Sequence, residues 1–361
     1  MKVAILGHHP DLFPGFNALM TVNFAYGLSQ AGLTVTVLLP ETTSHPQTDR
    51  MVSLGLSEKT LACFDADVEY RVVRLGENLG RFDLGVWQSY FAEDEGFFPV
   101  FRKSVDILAK NFPRLFTGVR SRDEQALAGS ASRFDVIGLS LMTDKAIADQ
   151  MVDAFPDAVS KTIYMPRGFR SDWFTPASCT GSPVFGIEKG VQSDSSEYAY
   201  LIPVIDRLRA EFGQVDVIGA RLKDPRITTT TLKLLPAKEF YAQFINPLWA
   251  YLMIDVNKSR QSVNAVRVSG KTVYPGLYEN QVVEAHLAGA SVVGHQDALP
   301  EELVASSRTA LRFGDFNDSG AIFDFLASVI NNRSKVAAEA RDWAKKNHSI
   351  SNMVRPLLEV I

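Results

Sequence analysis

One pattern occurs twice along this chain: short apolar runs, each closed by Gly, Pro or polar residues, alternate with stretches of helical spacing. Residues 2–7 (Lys-Val-Ala-Ile-Leu-Gly) and 33–40 (Leu-Thr-Val-Thr-Val-Leu-Leu-Pro) are the first two runs. Between them Leu19, Val22, Phe24, Ala25 and Leu28 fall on one helical stripe that Gly32 stops. A strand, a crossover helix and a second strand imply parallel pairing. Runs at 82–86, 114–119, 134–139 and 162–165 extend the series. Residues 166–183 then hold three prolines, two glycines and several Ser and Thr, which is linker composition. Beyond the linker the pattern restarts. Strands are expected at 183–187, 215–219, 232–235, 250–256, 291–294 and 310–313, and helices at 197–212, 238–245 and 280–288. Residues 318–361 read as helix, broken near Asn331, Asn332 and His348.

A chain of 361 residues exceeds what one core usually holds, and two similar halves predict two Rossmann-like parallel-sheet α/β domains facing each other across a cleft. Ligands of such sheets bind beyond the carboxyl ends of the strands, so the site is expected in that cleft.

Composition narrows the function classes. Hydrophobic content of 46% with 22% charged residues is that of a soluble globular protein, and a net charge of -4 gives no strong nucleic-acid signal. Cys63 and Cys179 stand apart and near no histidine cluster, which argues against a metal site and for a reducing, cytoplasmic setting. No apolar run approaches the roughly twenty residues that span a bilayer, and the N-terminal run is too short for a signal peptide. At most the protein is expected to touch a membrane peripherally. The aromatics Trp87, Tyr90, Phe91, Phe97, Phe98 and Phe101, followed by Arg102, Lys103 and Lys110, read as core or as an acceptor-facing or membrane-facing surface.

The most informative segment runs from Gly276 to Val293 and reads as loop, short helix and buried strand. Glu284, one turn into that helix, can accept two hydroxyl hydrogen bonds, which suits a ribose diol; otherwise it is a first-turn glutamate stabilised by the helix dipole. The loop Gly276, Leu277, Tyr278, Glu279, Asn280 offers backbone N–H groups to a diphosphate, or is a plain turn after Pro275. His8 and His9 follow the first apolar run, where a base or acceptor contact can sit, though adjacent loop histidines are often incidental. Two histidines without a further ligand at metal spacing make no metal site.

The same segment resembles the signature of the retaining glycosyltransferases often called family 4, which have the GT-B fold. Other stretches in the family's order strengthen the match: Met165-Pro166-Arg167-Gly168 through Phe174-Thr175-Pro176, Gly186-Ile187-Glu188-Lys189-Gly190, Ala298-Leu299-Pro300-Glu301, Gly314-Asp315, Ala340-Arg341 and His348-Ser349-Ile350. The resemblance implies an acceptor domain at 1–166, a linker at 167–182, a nucleotide-sugar domain at 183–345 and a final helix at 346–361 returning toward the first domain. It implies transfer of a sugar from a nucleotide-diphosphate donor, as co-substrate and without other cofactor, to a hydroxyl acceptor on a glycan, lipid or small molecule. Glu284 would hold the ribose and Lys189 the diphosphate. Gly15 would line the first glycine-rich loop, Arg221 would replace an arginine missing before Lys189, with Arg267 as a further replacement, and Arg120 would face the acceptor.

One position departs from the pattern. The family's first glutamate, which contacts the donor sugar, is here Gly276, and Glu279 is three residues out of register. The motif is therefore degenerate. Rival readings are a nucleotide-sugar epimerase, a phage-type transferase that glucosylates DNA bases, and a catalytically silent nucleotide-sugar-binding module.

Overall fold

The computed structural model describes residues 1–6, 16–40, 68–73, 78–88, 115–119, 135–141, 162–187, 196–219, 222–229, 237–254, 266–268, 271–273, 279–296, 299, 301–314 and 319–361. The chain forms two compact units. One comprises Met1–Phe169, Val266–Val273 and Ile350–Ile361, and the other Arg170–Ala265 and Tyr274–Ser349.

The first unit is built on a seven-stranded parallel sheet. Its strands are β1 (Lys2–Leu6), β2 (Thr34–Pro40), β3 (Val68–Val73), β4 (Leu84–Gln88), β5 (Leu115–Val119), β6 (Val136–Leu141) and β7 (Thr162–Pro166). They lie in the order β3-β2-β1-β4-β5-β6-β7. Val3, Ala4, Ile5, Val35, Val37, Leu38, Leu84 and Val86 are all buried. Such continuous apolar runs are what a parallel sheet covered on both faces requires. Registers follow the runs, with Val3 opposite Val35 and Ile5 opposite Val37.

Helix α1 (Phe16–Gln30) buries Val22, Phe24, Ala25 and Leu28. Its end is a glycine turn: Gly32 has φ 84°, its N–H bonds to the Ser29 carbonyl at 2.9 Å, and the Leu33 N–H reaches back to Leu28 at 3.2 Å. That paired closure needs a left-handed residue, which glycine adopts without a Cβ penalty.

The second unit carries a six-stranded parallel sheet. It contains β8 (Val184–Ile187), β9 (Asp216–Gly219), β10 (Thr228–Thr229), β11 (Ala250–Met253), β14 (Ser291–His295) and β15 (Ala310–Phe313), in the order β10-β9-β8-β11-β14-β15. Helices α2 (Ser196–Phe212), α3 (Ala237–Phe240), α4 (Glu279–Leu287), α5 (Ser319–Asn331) and α6 (Arg333–Asn347) belong to it. Phe185, Leu208, Val217, Leu252, Val293 and Leu326 are among the residues of its core. Strands β12 (Val266–Val268) and β13 (Lys271–Val273) form a separate antiparallel pair that belongs to the first unit.

Each sheet reverses its strand order once, between β1 and β4 and between β8 and β11. Such reversal points, at the carboxyl ends of the strands, are where open α/β sheets take ligands. His8 and His9 follow β1 in sequence and Lys189 follows β8. All three lie outside the described residues.

The structure departs from the sequence expectation at several elements. The helix expected at 238–245 is α-helical only through Phe240 and continues as a π-turn, Tyr241–Ile245. The strand expected at 250–256 ends at Met253. The strand beside β9 is Thr228–Thr229, and the run expected at 232–235 lies outside the described residues. Strand β3 and the β12–β13 pair had no counterpart in the sequence reading. Both are short and polar-interrupted, so their pairing depends on a neighbouring strand rather than on local pattern.

Helix α7 (Ile350–Leu358) packs on α1 and β7 within the first unit. Gly27 permits the approach: a Cβ there would stand 2.5 Å from Ile350 Cγ2 and 2.7 Å from Val354 Cγ1. Replacing Gly27 by Ala gains about 1 kcal/mol of helix propensity, against roughly 1–3 kcal/mol for overpacking. Overpacking is expected to win. Gly27→Ala should lower the unfolding free energy in urea by about 1 kcal/mol, and the bulkier Gly27→Val by more.

Candidate functional site

Helix α4 connects into β14, and from Val282 to Ala290 every residue is buried. Val282, Val283, Ala285 and Leu287 supply apolar contacts on successive faces, so the helix has almost no solvent side. A helix in that position must find a partner for each polar group it carries, because an unmet buried donor or acceptor costs about 1–3 kcal/mol.

Its C-terminus is closed by a glycine turn like that of α1. Gly289, at φ 75°, donates to the His286 carbonyl at 2.9 Å, and Ala290 donates back to Ala285 at 2.8 Å. The guanidinium of Arg333, itself buried, donates to the carbonyls of Gly289 and Leu248 and lies 5.2 Å from the Trp249 ring centroid. A cation there faces the negative end of the α4 dipole. Burial pulls the Arg333 pKa down to about 10, so it stays charged at neutral pH.

Two ionisable residues sit on the helix. His286 is fully buried, with Nδ1 bonded to the Ala290 carbonyl at 3.0 Å and the edge of Trp343 at 5.5 Å between ring centroids. Burial pulls its pKa down to about 4, only partly opposed by backbone hydrogen bonds at Ala290 and Leu303. The ring is therefore neutral and the bond to Ala290 is an N–H donation.

Glu284 is 9% exposed, and its Oε1 accepts the Tyr241 hydroxyl at 2.8 Å. Helical side chains tilt toward the N-terminus, so this carboxylate leans to the end of α4 that carries unpaired N–H groups. From Glu279 to Glu284 the axial rise is about 7.5 Å.

Tyr241 opens the π-turn that follows α3, where the Asn246 N–H reaches the Tyr241 carbonyl at 2.8 Å. Single π-turns of this kind cluster at functional sites. The ring packs on Phe174 at 4.4 Å, Phe240 at 5.9 Å and Trp173 at 6.3 Å. Burial, then the Glu284 charge, raises the phenol pKa well above its ordinary value, so the group is a proton donor throughout the physiological range.

The aromatic wall is held in turn. Arg341 donates to the Phe174 carbonyl at 2.9 Å and Asn246 to that of Trp173 at 3.3 Å. Arg170 is buried, pairs with both oxygens of Asp172 at 3.1 and 2.6 Å, and stands 4.8 Å from the Trp173 ring centroid. Burial pushes the Asp172 carboxyl up, but the Arg170 bond and charge outweigh it and leave the carboxyl below its usual value.

Of the sequence candidates, the structure places Glu284 in a built environment and puts Glu279 and Asn280 at the start of α4. His8, His9, Gly15, Arg120, Lys189, Arg221, Gly276, Leu277 and Tyr278 lie outside the described residues, and Arg267 falls on β12. Sequence reasoning missed Tyr241 and Arg333. Tyr241 sits in an ordinary apolar run with no motif around it, and Arg333 reads as one more exposed base on a polar helix. No group of three His, Cys, Asp or Glu suited to a metal occurs among the described residues. Nor is any helix among them long and apolar enough to cross a membrane.

No protein-family model and no curated protein sequence matches the chain. Solved structures do. Anabaena HepE in complex with UDP and glucose matches with a TM-score of 0.52 at 13% identity, over 100% of this chain and 99% of the other. TarM matches with a TM-score of 0.61 at 8% identity, over 99% and 98% of the two chains. An alpha-glucosyltransferase in complex with UDP and a 13-mer DNA containing an HMU base matches with a TM-score of 0.61 at 12% identity, over 100% and 98%. At these identities the likeness establishes the fold: two parallel-sheet α/β units of the GT-B type.

Because native His286 stays neutral while the unfolded ring titrates near 6.5, the unfolded state binds more protons between pH 6.5 and about 4. Stability from this residue is complete above pH 6.5 and is lost as pH falls toward 4, by up to about 1.4 kcal/mol per pH unit. Urea unfolding between pH 7 and 5 should show that loss, and His286→Gln should flatten it.

Proposed function

We propose that this chain is a glycosyltransferase that moves a sugar from a nucleotide-diphosphate sugar to a hydroxyl acceptor. The observation that carries the reading is Glu284: a buried, hydrogen-bonded carboxylate on a helix that leads into β14 of the six-stranded sheet. The fold is shared with structures holding UDP, UDP-glucose, or UDP with glucose. UDP-sugar is accordingly the proposed donor.

In this reading Glu284 accepts the ribose hydroxyls, and the N-terminal N–H groups of α4, with Glu279 and Asn280 at its start, meet the diphosphate. The Gly276–Tyr278 loop, Gly15, Lys189 and Arg221 complete the donor contacts by resemblance to the family 4 pattern. Lys189 suits the charge that grows on the departing diphosphate, where a compact cation is worth most. The glycosidic C–O bond to the β-phosphate breaks, the acceptor oxygen bonds to the same carbon, and the acceptor proton passes to the leaving phosphate. Retention of configuration fits this arrangement, because attack then occurs on the leaving-group side. Rate would come from positioning and from charge stabilisation at the diphosphate.

Gly276 supports a second reading. With glycine where the family carries a sugar-binding glutamate, the chain would bind the nucleotide and turn over no donor.

Thermal-shift titration with UDP, GDP, TDP, CDP and ADP, then with their glucose or N-acetylglucosamine conjugates, separates these. Binding to the native state alone raises the midpoint with ligand saturation. UDP and UDP-glucose are expected to shift it most, and Glu284→Ala should weaken UDP by about ten- to a hundredfold, the worth of hydrogen bonds to a charged group. Unchanged affinity in that variant would overturn the donor assignment. Binding without release of UDP from any UDP-sugar, even slowly to water, would favour the silent module.

A further inference from the structure

We propose that Tyr241 is a positioning residue for ribose recognition, setting the carboxylate of Glu284 so that the site prefers ribonucleotides over 2′-deoxyribonucleotides. This rests on the reading of Glu284 as the ribose acceptor. The inference itself comes from how the pair is mounted.

Donor and acceptor sit on separate, individually fixed elements. Glu284 belongs to a helix buried on every side, with its C-terminus held by the Gly289 turn and by Arg333. Tyr241 belongs to a π-turn, whose backbone bond from Asn246 displaces it from α-helical register. Its ring is packed between Phe174 and Phe240, and it is 3% exposed. Both side chains are buried, and the 2.8 Å bond ties the Glu284 carboxyl group to the fixed phenol.

A carboxylate that is to take two adjacent hydroxyls must present its oxygens in one plane toward both. A freely turning glutamate would lose part of that advantage as rotamer entropy. The Tyr241 phenol supplies the constraint before ligand arrives. With its own pKa raised by burial and by the Glu284 charge, the phenol does not switch roles across the physiological range.

The contrast with a purely structural tyrosine is measurable. A tyrosine that only packs would, on losing its hydroxyl, weaken all nucleotides alike. A tyrosine that orients the ribose carboxylate would, on the same change, lower the ratio of the 2′-deoxy-UDP Kd to the UDP Kd.

The experiment measures Kd for UDP and 2′-deoxy-UDP by calorimetry on the full chain. The proteins are wild type, Tyr241→Phe, Glu284→Ala and the double variant. Wild type is expected to favour UDP by about tenfold or more, the worth of one charge-assisted hydrogen bond. Glu284→Ala should bring the ratio close to one. Tyr241→Phe should retain the wild-type circular dichroism spectrum while its ratio falls by about threefold or more. In the double variant the tyrosine change should have no further effect on the ratio.

A Tyr241→Phe protein that keeps the wild-type ratio, while Glu284→Ala loses it, overturns the positioning role and leaves the ribose site standing. If Glu284→Ala keeps the wild-type ratio, the ribose reading falls and this inference falls with it. Should Tyr241→Phe not fold, Tyr241→His, which keeps a ring and a donor, serves as the second variant. Retention of more of the ratio by His than by a Tyr241→Leu protein supports the role, and equal loss in both overturns it.

Discussion

A helix with almost no solvent face dictates much of the second unit. Because α4 is buried along almost its whole length, each of its polar groups needs a partner supplied by another element. Tyr241 comes from the π-turn after α3, Arg333 from the start of α6, and the glycine turn from the segment entering β14. Placing these partners fixes where α3 and α6 must lie relative to the sheet. The aromatic wall of Trp173 and Phe174, the backbone bonds from Asn246 and Arg341, and the paired Arg170 and Asp172 then follow from burying Tyr241.

This dependence explains what the sequence disclosed and what it withheld. Parallel strands buried on both faces leave a local trace, a mainly apolar run, and β1, β2, β8, β14 and β15 were read within a residue or so of their ends. The breaks between α5, α6 and α7 were visible for a similar reason, since Asn332 and His348 interrupt otherwise periodic stretches. The two parallel-sheet domains were therefore legible in the pattern, and the GT-B type through the resemblance around residues 276–293. Strand β3 alternates polar and apolar residues and is recognisable only beside β2. The π-turn was unreadable because i to i+5 bonding leaves no distinct periodicity over five residues.

Of the proposed site, Glu284 was singled out by the resemblance of the segment around it, and its partner was illegible. A tyrosine 43 positions earlier gives no hint of the carboxylate it will meet. Arg333 misleads more actively: in sequence it opens a helix rich in charge, yet it is buried and caps another helix through backbone carbonyls. Side-chain partnerships across a fold are properties of topology, and motif spacing records only those that lie on one element.

The contact between Gly27 and helix α7 has a consequence for biosynthesis. The helix that packs against the first crossover of the first unit follows every segment of the second unit in the chain. Until Ile350 and Val354 have emerged, the face of α1 around Gly27 lacks its cover, while Arg170–Ala265 and Tyr274–Ser349 are already in hand for the second unit. Synthesis from the N-terminus usually lets the first domain close first. Here the order of completion is inverted, and the nascent first unit carries an open apolar seam until the second unit has been made.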